Sequence, residues 1–216
     1  MSRFLDLANL ISILGVCSAL AGALLATQGR LAFAAAALVG AGFCDVFDGF
    51  VARKLTRDEA GKTFGQRLDS LVDACAFGIS PVFLLHAAGM RSLPEQAALL
   101  LFASCAVWRL AYFETFGLVD RPPEQPGEKP ALRYYHGLPT TFVSTAIPAA
   151  LLAGLHSAAA LRVVANVAAV GLAVAMVSPL PFPKPRGVAY PILSLLALAL
   201  LTIHAVLGVR GGFPAP

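Results

Sequence analysis

Four aspartates lie within or beside long apolar runs of the sequence. Asp45 and Asp48 fall in "GFCDVFDGFVARK", and Asp69 and Asp73 fall in "GQRLDSLVDACAFG". Residues three or four apart share one face of a helix, so each pair forms a carboxylate stripe. Unpaired charges are costly in an apolar setting, and hard divalent cations prefer oxygen ligands and often bridge to phosphates. The pattern therefore predicts a site for Mg²⁺ or Mn²⁺ and a phosphorylated substrate.

Small residues accompany the first stripe. Gly49 and Ala52 share the helix face of Asp45 and Asp48, and they leave space for a ligand against the helix. In the alternative interpretation, the aspartates are helix-end carboxylates paired with the basic residues nearby, which are Arg53, Lys54 and Arg67. Two pairs at helical spacing, with small residues on the shared face, favour the metal–phosphate site.

The composition indicates which elements position these residues. Hydrophobic residues make up 58% of the chain and charged residues 13%, whereas a soluble domain has roughly a quarter charged residues. Apolar stretches near the length of a membrane span recur throughout. We therefore expect an all-α, polytopic transmembrane helix bundle, with 1–216 forming a single integral membrane domain. The cysteines form no Cys-x-x-Cys pair, which argues against a disulfide framework or a zinc site.

Seven apolar segments are predicted to cross the membrane, and the first of them is expected to be an uncleaved span. Two segments are predicted to be loops: the polar 120–133 and the proline-dense 178–187. The predicted spans are 7–27, 31–52, 67–89, 95–117, 138–156, 158–179 and 188–208.

The basic residues predict the orientation. With the N-terminus inside, twelve of the sixteen lysines and arginines fall on the side that carries the aspartates. Positive charge is enriched on the cytoplasmic side of membrane proteins, so we expect the aspartates to face the cytoplasm and the C-terminus to lie outside. The excess of positive charge therefore suits a membrane surface rather than nucleic acid. The outer side keeps Arg30, Arg91, Arg162 and Arg210.

The segment "DVFDGFVARKLTRDEAGKTFGQRLDSLVD" resembles the signature of the CDP-alcohol phosphotransferase family, D-x-x-D-G-x-x-A-R followed by G-x-x-x-D-x-x-x-D. The spacer between Arg53 and Gly65 has eleven residues, which is longer than usual in that family. Every fixed position of the signature is filled, by Asp45, Asp48, Gly49, Ala52, Arg53, Gly65, Asp69 and Asp73.

Softer likenesses extend beyond the signature. The runs "NLISILGV", "LDSLVDACAFGISP", "HGLPTT" and "MVSPLPFPK" resemble, in the same order, runs of the phosphatidylserine synthases within that family. The run "RLAYFE" at 109–114 departs from their pattern. The identity of the acceptor alcohol therefore stays open between serine, which is favoured, and glycerol 3-phosphate, inositol phosphate or another alcohol.

The resemblance implies a six-helix core, here with a seventh span, that transfers a phosphatidyl group from CDP-diacylglycerol to an alcohol and releases CMP. It implies that Asp45, Asp48 and Asp69 hold two Mg²⁺ or Mn²⁺ ions, and that Asp73 contributes to this centre and acts as general base. It also implies a homodimer. We expect the chain in a bacterial inner membrane, with the active site facing the cytoplasm as the basic residues predict. The substrate-binding positions carried over from the signature are Gly49, Ala52, Arg53 and Gly65.

Two further arginines are candidates for the acceptor site. Arg109 either extends its charge to the membrane surface between aromatic neighbours or binds an anionic group of a substrate. Arg133 precedes the "GLP" stretch and is a second candidate. A transporter is the alternative from another class of protein, but transporters place ionisable residues near the membrane midplane and often show repeats. Here the carboxylates cluster at one face and no repeat is visible.

Overall fold

The computed structural model describes residues 4–120, 133–185 and 187–214, and these residues form a bundle of helices. Six helices in this part of the chain are long and apolar enough to cross a membrane, which confirms the prediction of a polytopic helical bundle. The helices are α1 (Leu7–Thr27), α2 (Leu31–Ala52), α3 (Glu59–Asp73), α4 (Ser80–Ala87), α5 (Leu93–Phe116), α6 (Val143–Ala153), α7 (Ala158–Val177) and α8 (Ala189–Val209).

Helix α2 is the central helix of the bundle. The apolar stretch of α2 is 56% buried inside the bundle, whereas the apolar stretch of α8 is 11% buried. Small residues let its neighbours approach closely: a Cβ on Gly22 of α1 would lie 3.0 Å from the carbonyl oxygen of Ala34, and a Cβ on Gly42 would lie 2.3 Å from Ser144 Oγ of α6. Close approach over small residues is the usual way in which membrane helices associate. The helix that carries Asp45 and Asp48 is therefore held firmly by the others.

The third membrane-crossing helix is longer than predicted. Its predicted range was 67–89, but the helix begins at Glu59 and continues without a break to Ala87. Asp58 caps its start by accepting a hydrogen bond from the backbone N–H of Gly61 at 2.7 Å. The second half of the eleven-residue spacer is therefore helical. The Asp58 cap stabilises these turns, and hydropathy does not predict them because they are polar and exposed.

A π-helical segment, Ala74–Ile79, joins α3 to α4 directly after Asp73. Pro81 follows it and has no backbone N–H, so the carbonyl of Phe77 loses its usual α-helical donor. Ser80 Oγ donates to the carbonyl oxygen of Ala19 in α1 at 2.7 Å, which fixes this irregular region against the neighbouring helix. Segments of this kind inside α-helices occur frequently at functional sites.

The predicted fifth span, 138–156, is shorter in the structure. A 3₁₀ turn (Thr140–Phe142) leads into α6, and this apolar stretch is too short to count among the six long spans. Its neighbours nevertheless show that it joins opposite ends of the bundle. Arg162 at the start of α7 pairs with Glu95 at the start of α5, so α6 must return the chain between the end of α5 and the start of α7.

The start of α1 and the end of α8 lie at opposite ends of the bundle. Phe4, just before α1, stacks on Phe64 of α3 at the end that holds the aspartates. At the other end, a Cβ on Gly208 of α8 would contact the ring of Phe33 at the start of α2. Six helices are long enough to cross a membrane in the described part of the chain, and the count of seven crossings stays a prediction.

Three short antiparallel strands cover the aspartate end. They are β1 (Val119–Asp120), β2 (Arg133–His136) and β3 (Pro181–Pro183), and Tyr135 of β2 pairs with Phe182 of β3. The prediction of a loop at 178–187 was therefore wrong for β3, where prolines are tolerated because the strand lies at the sheet edge. Most of the predicted polar loop, 121–132, lies outside the described residues.

Candidate active site

The two aspartate stripes converge where α2 ends and α3 approaches its own end. Asp45, Asp48 and Asp69 each offer a carboxylate oxygen, and these three oxygens lie within 4.8 Å of one another. Asp73 lies one turn beyond Asp69, and its carboxyl group adjoins that of Asp45. The expected convergence of four carboxylates is therefore seen.

The four aspartates have polar neighbours but form no ion pair with the lysines and arginines that the structure describes. Ser12 of α1 donates its hydroxyl hydrogen to Asp48 Oδ2 at 2.5 Å. Asp73 is buried, and its Oδ1 has no hydrogen-bond partner. Across residues 4–120, 133–185 and 187–214, the ion pairs join Arg57 with Asp6, Lys62 with Glu59 and Arg162 with Glu95. Pairing with Arg53, Lys54 or Arg67, the alternative explanation of the aspartates, is absent there.

The donor set fits a hard divalent cation. All the candidate ligand atoms are carboxylate oxygens, which suit Mg²⁺ and Mn²⁺ rather than softer metals. The buried, unpartnered Oδ1 of Asp73 also indicates a missing positive partner, because a buried carboxylate without one is strongly disfavoured. The cluster of Asp45, Asp48 and Asp69 is therefore a group that could bind metal.

Two cavities flank the aspartates. One, of about 480 Å³, lies between α2, α6 and α8 and reaches Tyr135 and Lys184. The other, of about 490 Å³, lies between α1, α2 and α3. Asp45, Gly49, Arg53 and Asp69 line both cavities. Two separate ligands can thus approach the same carboxylates from opposite sides of α2.

The small residues of the signature lie at these cavities. A Cβ on Gly49 would meet no protein atom within 4 Å, so protein packing does not require glycine there. Ala52 lines the cavity between α1, α2 and α3, which we call the α1–α3 cavity. Arg53 is exposed, and its Nε donates to the carbonyl oxygen of Gly49 at 2.8 Å. Gly65 has a different surrounding, since its Cβ would lie 2.6 Å from Arg57 Nη1.

Of the two candidate arginines, the structure describes the side chain of one. Arg109 is buried, with its guanidinium 5.0 Å from the ring centre of Phe113 and 5.5 Å from that of Tyr135. Its Nε has no hydrogen-bond partner, and its charge acts on Asp73. The contacts place Arg109 within the bundle rather than at the membrane surface. The side chain of Arg133 lies outside the described residues.

Sequence reasoning missed two contacts of the site. Ser12 of α1 donates a hydrogen bond to Asp48, which lies 36 positions further along the chain. Arg57 of the linker between α2 and α3 donates to Asp6, which caps α1, and to Asn9 of α1. A polar position on the face of α1 that also holds Ala8 and Gly15 was the available signal for Ser12, but a lone serine in an apolar helix more often bonds its own backbone. Ser12 also makes that bond, to the carbonyl oxygen of Ala8.

Comparison with known proteins identifies the class. The family model for CDP-alcohol phosphatidyltransferase matches residues 5–178 of this chain. The chain therefore belongs to the CDP-alcohol phosphatidyltransferase family.

Individual proteins similar to this chain share 28% to 35% sequence identity with it over the aligned residues. The chain is 35% identical over 104 residues to a CDP-diacylglycerol–serine O-phosphatidyltransferase of Mycobacterium leprae, covering 48% of this chain and 34% of that protein. It is 29% identical over 136 residues to the protein of the same name from Mycobacterium tuberculosis, covering 62% and 44%. It is 28% identical over 189 residues to an archaetidylserine synthase of Methanothermobacter thermautotrophicus, covering 87% and 73%. The chain thus spans less than half the length of the mycobacterial relatives.

Proposed function

We propose that this chain transfers the phosphatidyl group of CDP-diacylglycerol to the hydroxyl of L-serine, giving phosphatidylserine and CMP. The observation that carries the proposal is the cluster of four carboxylates, which form no ion pair within the described residues and of which Asp45, Asp48 and Asp69 line one or both of two cavities. Carboxylates in this state suit a substrate that arrives with divalent cations, and a diphosphate is such a substrate. Family membership supports the same chemistry.

Asp45, Asp48, Asp69 and Asp73 would hold the metal, as Mg²⁺ or Mn²⁺ and with two ions. Bound there, the ions supply positive charge against the diphosphate and the leaving CMP. Gly49 and Ala52 leave room for the cytidylyl group, and Arg53 adds a cation beside its phosphates. Asp73 takes the proton from the acceptor hydroxyl, whose oxygen bonds to the lipid phosphorus while the bond to the CMP oxygen breaks.

Arg109 supports serine as the acceptor. Its buried guanidinium acts on Asp73 and has an unused donor, so a carboxylate beside the reacting hydroxyl would find a partner there. The names of the mycobacterial and archaeal relatives also refer to serine. A related transferase with glycerol 3-phosphate or inositol phosphate as acceptor is the second candidate, because an anionic phosphate would find a partner in the same guanidinium.

The active site is proposed to face the cytoplasm of a bacterial inner membrane. Described basic residues at the aspartate end outnumber those at the other end, and positive charge marks the cytoplasmic side. The aspartate end has Arg53, Lys54, Arg57, Lys62, Arg67, Arg109 and Lys184, and the other end has Arg30, Arg91, Arg162 and Arg210. Arg3, Arg121, Lys129, Arg186 and the side chain of Arg133 lie outside the described residues. The homodimer implied by the family resemblance stays a prediction.

The direct test incubates purified protein with CDP-diacylglycerol, Mg²⁺ or Mn²⁺, and one alcohol at a time from a panel of serine, glycerol 3-phosphate, inositol phosphate and glycerol. Mass spectrometry of the lipid products identifies the acceptor. We expect phosphatidylserine and CMP in equal amounts, and loss of both after chelation of the metal. Product from another alcohol alone would replace serine, and turnover that survives exhaustive chelation would refute the metal site.

A further inference from the structure

Arg57 occupies an unusual position in the linker between α2 and α3. Its side chain is only 11% exposed, although it belongs to a polar segment at the end of the bundle. Its Nη2 forms an ion pair with Asp6 and donates to Asn9 Oδ1 at 3.2 Å. Asp6 also accepts from the backbone N–H of Asn9 and so caps α1. The first residues of α1 therefore hold this guanidinium in one place.

Within the described residues, the hydrogen bonds of the Arg57 side chain all use Nη2. Its Nε is buried without a hydrogen-bond partner. Its Nη1 lies beside Gly65, where a Cβ would approach it to 2.6 Å. Arg57 and Gly65 both line the α1–α3 cavity together with Asp48, so the guanidinium stands at the cavity wall, and Nη1 is the nitrogen that the contacts with Asp6 and Asn9 leave over. A guanidinium has five donors in a rigid fork, which lets one edge bind the protein while another binds an anion.

The ionisation of Asp6 is consistent with this geometry. Burial raises the pKa of Asp6, but the hydrogen bonds from the Asn9 backbone and Arg57 outweigh burial, and its pKa lies below the ordinary value. Asp6 is therefore an anion at neutral pH and anchors Arg57 by charge. Asp6 contacts Nη2 and leaves Nη1 for a ligand.

We propose that Arg57 is a binding residue for the diphosphate of the cytidine nucleotide, and that Asp6 and Asn9 position it. This inference rests on the proposed function, because the α1–α3 cavity is where Gly49 and Ala52 leave room for the cytidylyl group. The glycine at position 65 then serves to admit the Arg57 guanidinium to the cavity wall. Arg57 lies within the eleven-residue spacer that distinguishes this chain, so the signature itself assigns it no role.

A purely structural tie between the linker and α1 is the competing explanation. Such a tie would need the ion pair alone, and lysine would serve as well as arginine because the contact with Asp6 uses a single nitrogen. The binding role instead needs a donor on each side of the side chain. Lysine cannot supply this, since its ammonium is a single point of charge. Arg57→Lys therefore separates the two explanations.

The experiment measures the affinity of CDP by titration calorimetry in detergent with Mg²⁺, for the full chain and for Arg57→Gln, Arg57→Lys and Asp6→Asn. Asn caps a helix as well as Asp does, so Asp6→Asn removes the charge and keeps the cap. Arg67→Gln is the matched control, because Arg67 is exposed on α3 and lines neither cavity. Thermal unfolding of each variant is recorded in parallel.

We expect Arg57→Gln to weaken CDP binding roughly 10- to 100-fold, the range for hydrogen bonds to a charged group. Arg57→Lys should keep the unfolding temperature near that of the unchanged chain and still bind CDP more weakly. Asp6→Asn should lose less affinity than Arg57→Gln, and Arg67→Gln should lose none.

Unchanged CDP affinity in Arg57→Lys, or an equal loss in Asp6→Asn and Arg57→Gln, would assign Arg57 to the structural tie and overturn the inference. If Arg57→Gln does not fold, Arg57→Lys alone decides between the explanations. Failure of the unchanged chain to bind CDP would instead overturn the proposed function, and with it this inference.

Discussion

Among the four aspartates, Asp73 has the most distinct surroundings. Asp45, Asp48 and Asp69 bring their oxygens within 4.8 Å of one another, whereas Asp73 is buried one turn further along the helix with an unpartnered oxygen. This position suits a group that meets an incoming hydroxyl behind the bound phosphates. It separates the proposed base from the three residues that are proposed mainly to hold metal.

The two roles predict different losses on mutation. Asp73→Asn should keep CDP-diacylglycerol binding within a few fold and lower turnover by about 10²–10⁴-fold, the usual contribution of a positioned general base. Asp45→Asn should weaken binding as well, since it removes a charge that supports the metal–substrate complex. Binding in detergent with Mg²⁺ and turnover under the same conditions are the measurements. Equal loss of affinity in both variants would leave Asp73 as one more ligand.

Ser12 offers a second test at the scale of a residue. Its hydroxyl orients Asp48 through a hydrogen bond of 2.5 Å. Loss of such an outer contact typically lowers metal affinity about 10- to 100-fold, so Ser12→Ala should weaken Mn²⁺ binding by that order. The matched control is Ser18→Ala, because Ser18 lies on the same helix and donates to the carbonyl of Ala37 instead. Electron paramagnetic resonance of free Mn²⁺ measures the affinity, and equal values for the two variants would contradict the assignment.

Some of these residues could be predicted from the sequence and others could not, for a physical reason. The aspartates were predictable because residues three and four apart share a helix face, and this spacing is visible in the sequence. Ser12 with Asp48, and Arg57 with Asp6, are contacts between residues 36 and 51 positions apart. Such contacts depend on how helices pack against each other, which spacing within one helix does not determine.

At the scale of an element, hydropathy located the membrane-crossing segments better than their ends. The start of α3 was missed because the turns after Glu59 are polar and exposed, and the cap at Asp58 rather than apolar burial stabilises them. The shortness of α6 was missed because apolar residues continue past its ends. Strand β3 was missed because its pairing with β2 joins residues far apart in the chain.

The close approach of α2 and α6 leaves no room for a side chain at Gly42, and this can be tested by mutation. A Cβ there would lie 2.3 Å from Ser144 Oγ and 2.7 Å from Ser144 Cβ, so one side chain or helix must move. Gly42→Ala should lower the free energy of unfolding by about 1–3 kcal/mol, the usual cost of overpacking. Gly171→Ala on α7 is the control, since its Cβ would meet nothing within 4 Å. Thermal unfolding in detergent compares them, and an equally stable Gly42→Ala would show that α6 does not hold α2 as described.

At the scale of the whole molecule, charge is distributed unevenly between the two ends of the bundle. Cations gather where the aspartates lie, and they surround the site without pairing with it in the part of the chain described by the structure. The proposed anionic substrate would therefore meet a positive rim before it reaches the carboxylates, and the same rim predicts the orientation in the membrane.

This asymmetry predicts the topology of the chain. Reporters fused after Gly29, Phe116 and Arg210 should report outside, inside and outside in turn, because α1, α5 and α8 end at alternating faces. Alkaline phosphatase, which is active outside, and green fluorescent protein, which is fluorescent inside, provide paired readouts. A fusion after Arg210 that reports a cytoplasmic position would contradict the count of seven crossings.

The π-helical segment Ala74–Ile79 determines how α3 is rotated about the helix axis relative to α4. Its turn is wider than an α turn, so it absorbs one residue more, and each residue of an α-helix advances the side chain by about 100°. The aspartate face of α3 and the lipid- and core-facing sides of α4 can therefore be oriented independently within one continuous helix. Deletion of a single residue in this segment would rotate Asp69 and Asp73 away from Asp45 and Asp48, and so dismantle the site without altering any residue that forms it.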